Sequence, residues 1–195
     1  MNPLFLMKVL SWKTLKKYSG HSALIPDKDL LNPVPLAITF VIIGIGIGGF
    51  IDGIFLHQIL QWHGISTNIL PADTVIGKSV NMFWDDIFHL LTLIAFIIGT
   101  TSLIRLLKKK NINPSTKLAV GGCFAGWGIF NLVEGIIHHH ILKFHNVKEF
   151  SANPELWNYG FLASGVVFII IGFSLIYNPE HFTVRLEKQK LRLSD

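Results

Sequence analysis

Four stretches of this 195-residue chain stay apolar for longer than a soluble core element needs: Val34–Leu60, Phe83–Leu107, Leu118–Leu142 and Trp157–Tyr177. A helix takes about 20 apolar residues to cross the hydrocarbon layer, and each stretch reaches that length without a recurring polar face. Backbone immersed in lipid has no water to bond, so runs of this kind fold as helices. Charged residues make up 15% of the chain, against about a quarter in soluble domains. The pattern predicts an all-α integral membrane protein with four transmembrane helices, a membrane domain over residues 34–178, and the lipid bilayer as its first partner.

The net charge of +5 is a topology signal rather than a nucleic-acid footprint, and no nucleic-acid partner is expected. Fourteen of the 17 lysines and arginines fall in the N-terminal segment, the loop between the second and third spans, and the C-terminal tail. The other two loops hold only Lys78, Lys143 and Lys148. Basic loops are retained on the cytoplasmic side, which predicts both termini inside. Residues 1–33 then form a cytoplasmic segment, and 179–195 a basic cytoplasmic tail. "MNPLFLMKVLSW", followed by Lys13, Lys16 and Lys17, is too short in its apolar core for a signal peptide. It suits an amphipathic helix on the inner leaflet or a plain disordered start. The one cysteine, Cys123, lies inside a span and reads as a small packing residue.

The chain also repeats itself. "DGIFLHQILQWH" from Asp52 and "EGIIHHHILKFH" from Glu134 align at an offset of 82 residues, so that Asp52 meets Glu134, His57 meets His139 and His63 meets His145. Gly44 and Gly46 meet Gly126 and Gly128, and "WDDIFH" from Trp84 meets "WNYGFL" from Trp157. This predicts a tandem repeat of a two-helix hairpin, 34–107 and 118–178. Two copies with an even number of spans point the same way, related by an axis along the membrane normal. The G-x-G-x-x-G match within "GIGIGG" has no strand before it and is not a dinucleotide fingerprint. Gly44 with Gly48, and Gly122 with Gly126, instead have the spacing that lets membrane helices approach closely.

With the termini inside, the histidines of the first and third spans and the acids opening the second converge on the outer leaflet. Trp62 and Trp84 suit an interfacial belt there. Ionisable side chains at membrane depth are costly and are functional by default. From a regular helical rise, His57 and His139 lie about 7.5 Å above Asp52 and Glu134, and His89 about 6 Å below Asp85. That levels His57, His89 and His139 as three imidazole ligands for one metal, with Asp85 as a possible fourth. Asp52 and Glu134, and at the rim His63 and His145, are then second partners or proton carriers. Carboxylate–histidine pairs at i, i+3 or i+4, such as Asp85 or Asp86 with His89 and Glu134 with His138, also allow a dinuclear site. The fourth span offers only Asn158 and Tyr159 to such a site. His138 and His140 lack repeat partners of their own type, and His21 and His181 read as surface residues.

"GGFIDGIFLHQILQWH", "WDDIFH" and "NLVEGIIHHHILKFH" resemble a bacterial predicted-membrane-protein family, the domain of unknown function numbered twenty-two forty-three, from about Gly44 to Phe173. The family's shared segments, D-G-x-x-L-H-Q-x-L-Q-W-H, D-G-x-F-H and N-L-x-E-G-x-x-D-H, fall on Asp52, His57, His63, Asp85, His89, Asn131, Glu134, His139 and His145. The chain departs from them at Asp86, where glycine is usual, and at His138, where aspartate is. It departs again at Gly64 and Asn146, where second histidines are usual, and at Asn158, where aspartate is. These departures set Asp86, His138 and Asn158 apart from the ligand candidates. The resemblance implies the fold and the topology and supplies no activity; with both termini inside, the bacterial inner (cytoplasmic) membrane is the expected location.

The leading expectation is a transition metal, zinc, copper or iron, held near the periplasmic face for redox chemistry or metal handling. The alternatives are a b-type haem with His57 and His139 as axial ligands, a proton or ion transporter through Asp52 and Glu134, and a non-catalytic assembly partner of a membrane complex.

Overall fold

The computed structural model describes residues 33–109 and 115–177, and the expectations for the N-terminal segment, for His21 and His181 and for the basic tail lie outside them. Among the described residues every regular element is a helix and none is a strand, and four helices are long and apolar enough to cross a membrane. We number them α1 (Val34–Ile59), α2 (Val75–Leu107), α3 (Thr116–Ile141) and α4 (Pro154–Ile176). Three match the apolar stretches to within a few residues at each end. α2 starts eight residues before the expected Phe83, because Thr74 caps it by accepting from the Gly77 amide at 3.0 Å. The extra turns mix apolar and polar residues and carry the buried Asn81.

Packing runs in the order α2, α1, α3, α4, with α1 and α3 as the buried central pair. Glycine permits the central contact. A Cβ on Gly44 would stand 2.3 Å from the Cys123 carbonyl oxygen, and one on Gly126 2.0 Å from that of Val41. Val41 and Cys123 are themselves 82 residues apart, as are Gly44 and Gly126. The outer helices seat on the inner ones in the same manner, Gly99 against Ile43 and Gly172 against Ala125. Close backbone approach of this kind substitutes for the hydrophobic drive that lipid cannot supply. Both outer helices turn large apolar side chains outward, among them Leu91 and Ile98 on α2 and Val167 and Ile170 on α4. At one end of the bundle Leu36, Leu106 and Leu118 close an apolar core. The buried histidines, acids and asparagines lie toward the other.

A buried imidazole cluster where the helices unwind

Neither central helix stays α-helical to its end. α1 widens to a π-helix over Asp52–Ile59, and α3 does the same over Gly135–Ile141. In an α-helix, residues five apart are turned about 140° from each other. Under i→i+5 bonding they stack on one face. The wider turn therefore lines Asp52 up with His57 and Glu134 up with His139, five residues apart in each case. Each π segment stops in one left-handed residue, Gln61 at φ 49° and Lys143 at φ 51°. The Trp62 amide then closes on the Leu56 carbonyl, and the Phe144 amide on that of His138, each at 2.9 Å. Each bond reaches back six residues, one more than the six-to-one bond of a Schellman cap, as the wider π turn requires. This closure folds the chain back so that His63 returns over His57, and His145 over His139.

Four imidazoles meet as a result. His57 Nε2 lies 2.9 Å from His63 Nε2, and His139 Nε2 lies 3.0 Å from His145 Nε2. The rings of His63 and His145 stack with centroids 4.4 Å apart and planes 6° from parallel. His145 is 0% exposed, and the other three rings no more than 5%. The loops after α1 and α3 exchange partners to hold this arrangement. His63 Nδ1 donates to the Val147 carbonyl at 2.8 Å and His145 Nδ1 to the Ile65 carbonyl at 3.0 Å. The amides of those same two loop residues are held by the outer helices: Ile65 donates to Asp85 Oδ1 and Val147 to Asn158 Oδ1, each at 2.9 Å. Asn81 pins the first loop through the Ser66 amide, and Lys148 lies between Trp62 and Trp157, 4.7 and 4.8 Å from their ring centres.

The hydrogen-bond partners fix the chemistry of three rings. Carboxylate and carbonyl oxygens only accept, so the Nδ1 atoms of His57 (facing Asp85 Oδ1 at 2.9 Å), His63 and His145 carry the hydrogens. In a neutral ring of that tautomer Nε2 is a bare lone pair. With both rings neutral, His57 and His63 point two acceptors at each other, a contact that becomes favourable when one Nε2 takes a proton and donates it to the other or when a metal ion lies between them. The same holds for His145 Nε2 and the Glu134 carboxylate, 3.3 Å away. Asp52 Oδ2 stands 3.4 Å from His57 Nε2 and makes no hydrogen bond. Burial first, then the neighbouring His57 and His145, hold His63 well below the ordinary histidine pKa, so its ring is neutral and ready to coordinate.

Two sets of residues bring potential ligand atoms within 4.8 Å of one another: His57, His63 and His145, and Glu134, His139 and His145. His57 and His139 thus fall in different sets, and the chain of rings from one to the other runs through His63 and His145. Asp85 faces Nδ1 of His57, on the far side of the ring from the cluster. His89 belongs to neither set; its Nε2 packs on the backbone of Gly53, where a Cβ would come within 2.2 Å, and has no hydrogen-bond partner. Asp86 is exposed. Glu134 spans both environments, with Oε1 4.0 Å from His139 Nε2 and Oε2 bonded to His138 Nδ1 at 2.5 Å. His140 turns away to the Gly135 carbonyl and the Tyr159 ring. Asn158, apart from the ligand candidates in sequence, is a loop anchor. The match of Trp84 to Trp157 places it opposite Asp85, and that was the available signal.

No curated protein and no solved structure matches the chain. The four membrane-length helices, apart from the first five residues of α1, and the buried histidines and acids lie within residues 39–179, the segment matched by the sequence model described as "Predicted membrane protein (DUF2243)". The chain belongs to that family of predicted membrane proteins.

Proposed function

We propose that the protein carries a resident transition-metal centre at the outer end of its helix bundle and performs redox chemistry at that metal. One observation carries this reading: imidazole Nε2 atoms converge while the Nδ1 atoms of His57, His63 and His145 face a carboxylate and backbone carbonyls. Metal-binding histidines are oriented by this kind of outer partner. Imidazole and carboxylate without sulfur suit iron, copper or zinc, and two histidines with one carboxylate are the donor set of non-haem iron. His57, His63, His139 and His145 would be the ligands with Glu134 and Asp52, and Asp85 the group that orients His57. Burial of every ligand candidate argues for a centre that stays rather than a metal passed onward. A haem between His57 and His139 would need the space taken by the rings of His63 and His145. The bias of basic residues supports a periplasmic site in the inner membrane. A membrane-impermeant thiol reagent applied to intact cells should then label Phe150→Cys and spare Lys109→Cys.

The test is elemental analysis with an absorption spectrum on protein purified in detergent without a histidine tag. Iron or copper at one or more per chain, with no Soret band, is expected. A Soret band, or protein that stays empty when offered Fe(II), Cu(II) and Zn(II), would overturn the reading. His57→Ala/His139→Ala should empty the site while the helical circular dichroism persists.

A further inference from the structure

We infer that the centre is dinuclear, with one ion in each half of the chain and unlike surroundings for the two; this rests on the metal reading above. Ring planes decide the number of ions. A metal ion binds in the plane of an imidazole, along the lone pair. His57 and His63 cross at 67°, and His139 and His145 at 77°, so the planes within each pair intersect and can share an ion. His63 and His145 are 6° from parallel with centres 4.4 Å apart. Parallel, displaced planes have no common point, so those two rings cannot direct their lone pairs at one ion, although their nitrogens are close.

The distances agree with the angles. Two nitrogens on one tetrahedral ion lie about 3.3 Å apart, from a metal–nitrogen bond near 2.05 Å. Each pair, at 2.9 and 3.0 Å, reaches that bite by opening a few tenths of an ångström. Each pair also has its own buried acid. Asp52, 4% exposed, aims an unpartnered Oδ2 at His57 Nε2 from 3.4 Å, and Glu134, also 4% exposed, reaches His145 Nε2 at 3.3 Å. The second half has Glu134, His139 and His145 with their ligand atoms within 4.8 Å of one another, and the first half has His57 and His63 with Asp52 beside His57. They differ behind the ligands: Asp85 backs His57, whereas His139 Nδ1 has no hydrogen-bond partner and Asn158 stands where the first half has Asp85. The ion beside His57 therefore faces the more basic imidazole.

Native mass spectrometry of the detergent-solubilised full chain, stripped and reloaded with Zn(II), counts the ions without requiring activity. The expected counts are two for the unaltered chain, one for His63→Ala, one for His145→Ala and none for the double variant, with His63→Gln and His145→Gln as smaller perturbations. One ion in the unaltered chain, or both lost together in either single variant, would overturn the dinuclear assignment. No ion at all would overturn the metal reading itself.

Discussion

The two halves of the membrane domain use one framework and spend their acids differently. In each, a central helix widens into a π turn, ends in a left-handed residue and sends its second histidine back over the first. In each, the returning histidine is held by a carbonyl from the other half's loop. Yet the first half places Asp85 behind His57, whereas the second has the neutral Asn158 at that station and brings Glu134 close to both its rings. The shared parts are backbone geometry and the unlike parts are charges. The framework sets where imidazoles meet, and the acids around them tune each position separately.

Removing the charge that separates the halves should have the largest effect. Asp85→Ala strips an acceptor from His57 Nδ1 and from the Ile65 amide together. Each buried donor left unpaired costs about 1–3 kcal/mol, so the variant should lose several degrees of thermal stability as well as metal. Asp85→Asn keeps an oxygen for the Ile65 amide and makes the first half resemble the second. Metal affinity there should fall about 10- to 100-fold, read by competition with a chromophoric chelator; an unchanged affinity would mean that the Asp85 charge does not tune His57.

The contact joining the halves can be broken without touching a histidine. A Cβ at position 126 would press on the Val41 carbonyl from 2.0 Å, which is backbone and cannot swing aside. Gly126→Ala should cost about 1–3 kcal/mol by overpacking. Gly160→Ala, with nothing within 4 Å of the new carbon, should stabilise by up to about 1 kcal/mol through helix propensity. Equal responses of the two variants in thermal unfolding would deny that α1 and α3 meet through glycine.

Acid should weaken the metal-free cluster in a defined direction. The pKa of His63 is lowered by folding, so below the unfolded value of 6.5 the unfolded chain takes up the proton first. Its contribution is fully present above that pH and is lost as pH falls through it. The fall in thermal midpoint between pH 7.5 and pH 5 should therefore be smaller in His63→Asn than in the unaltered chain. The smallest effect belongs to the turns: Gln61→Gly or Lys143→Gly removes a left-handed side chain and should stabilise by about 1 kcal/mol or less, an increment that should be alike in the two halves.

Much of the frame was legible before any coordinates. Span length and apolar content located all four helices, and small-residue spacing marked Gly44, Gly122 and Gly126 as helix contacts. The offset of 82 residues picked out the histidines and acids that cluster. What sequence could not show was the π turns. A ladder built on regular helical rise set Asp52 and Glu134 about 7.5 Å below His57 and His139, whereas i→i+5 bonding lines each up with a histidine. It also levelled His89 with His57 and His139, while the actual partners of His57 and His139 are His63 and His145, returned by the turn that follows. The carbonyls of Ile65 and Val147 were invisible for another reason: every residue has one, and only the crossing of the loops gives these two a role.

X-ray absorption at the metal edge, on tag-free protein in detergent, addresses the metal-bound cluster most directly. The account predicts a first shell of nitrogen and oxygen at about 2.0–2.2 Å, with the outer-shell scattering of at least two imidazoles and no sulfur. A sulfur shell, an imidazole-free spectrum or the four pyrrole nitrogens of a haem would contradict it.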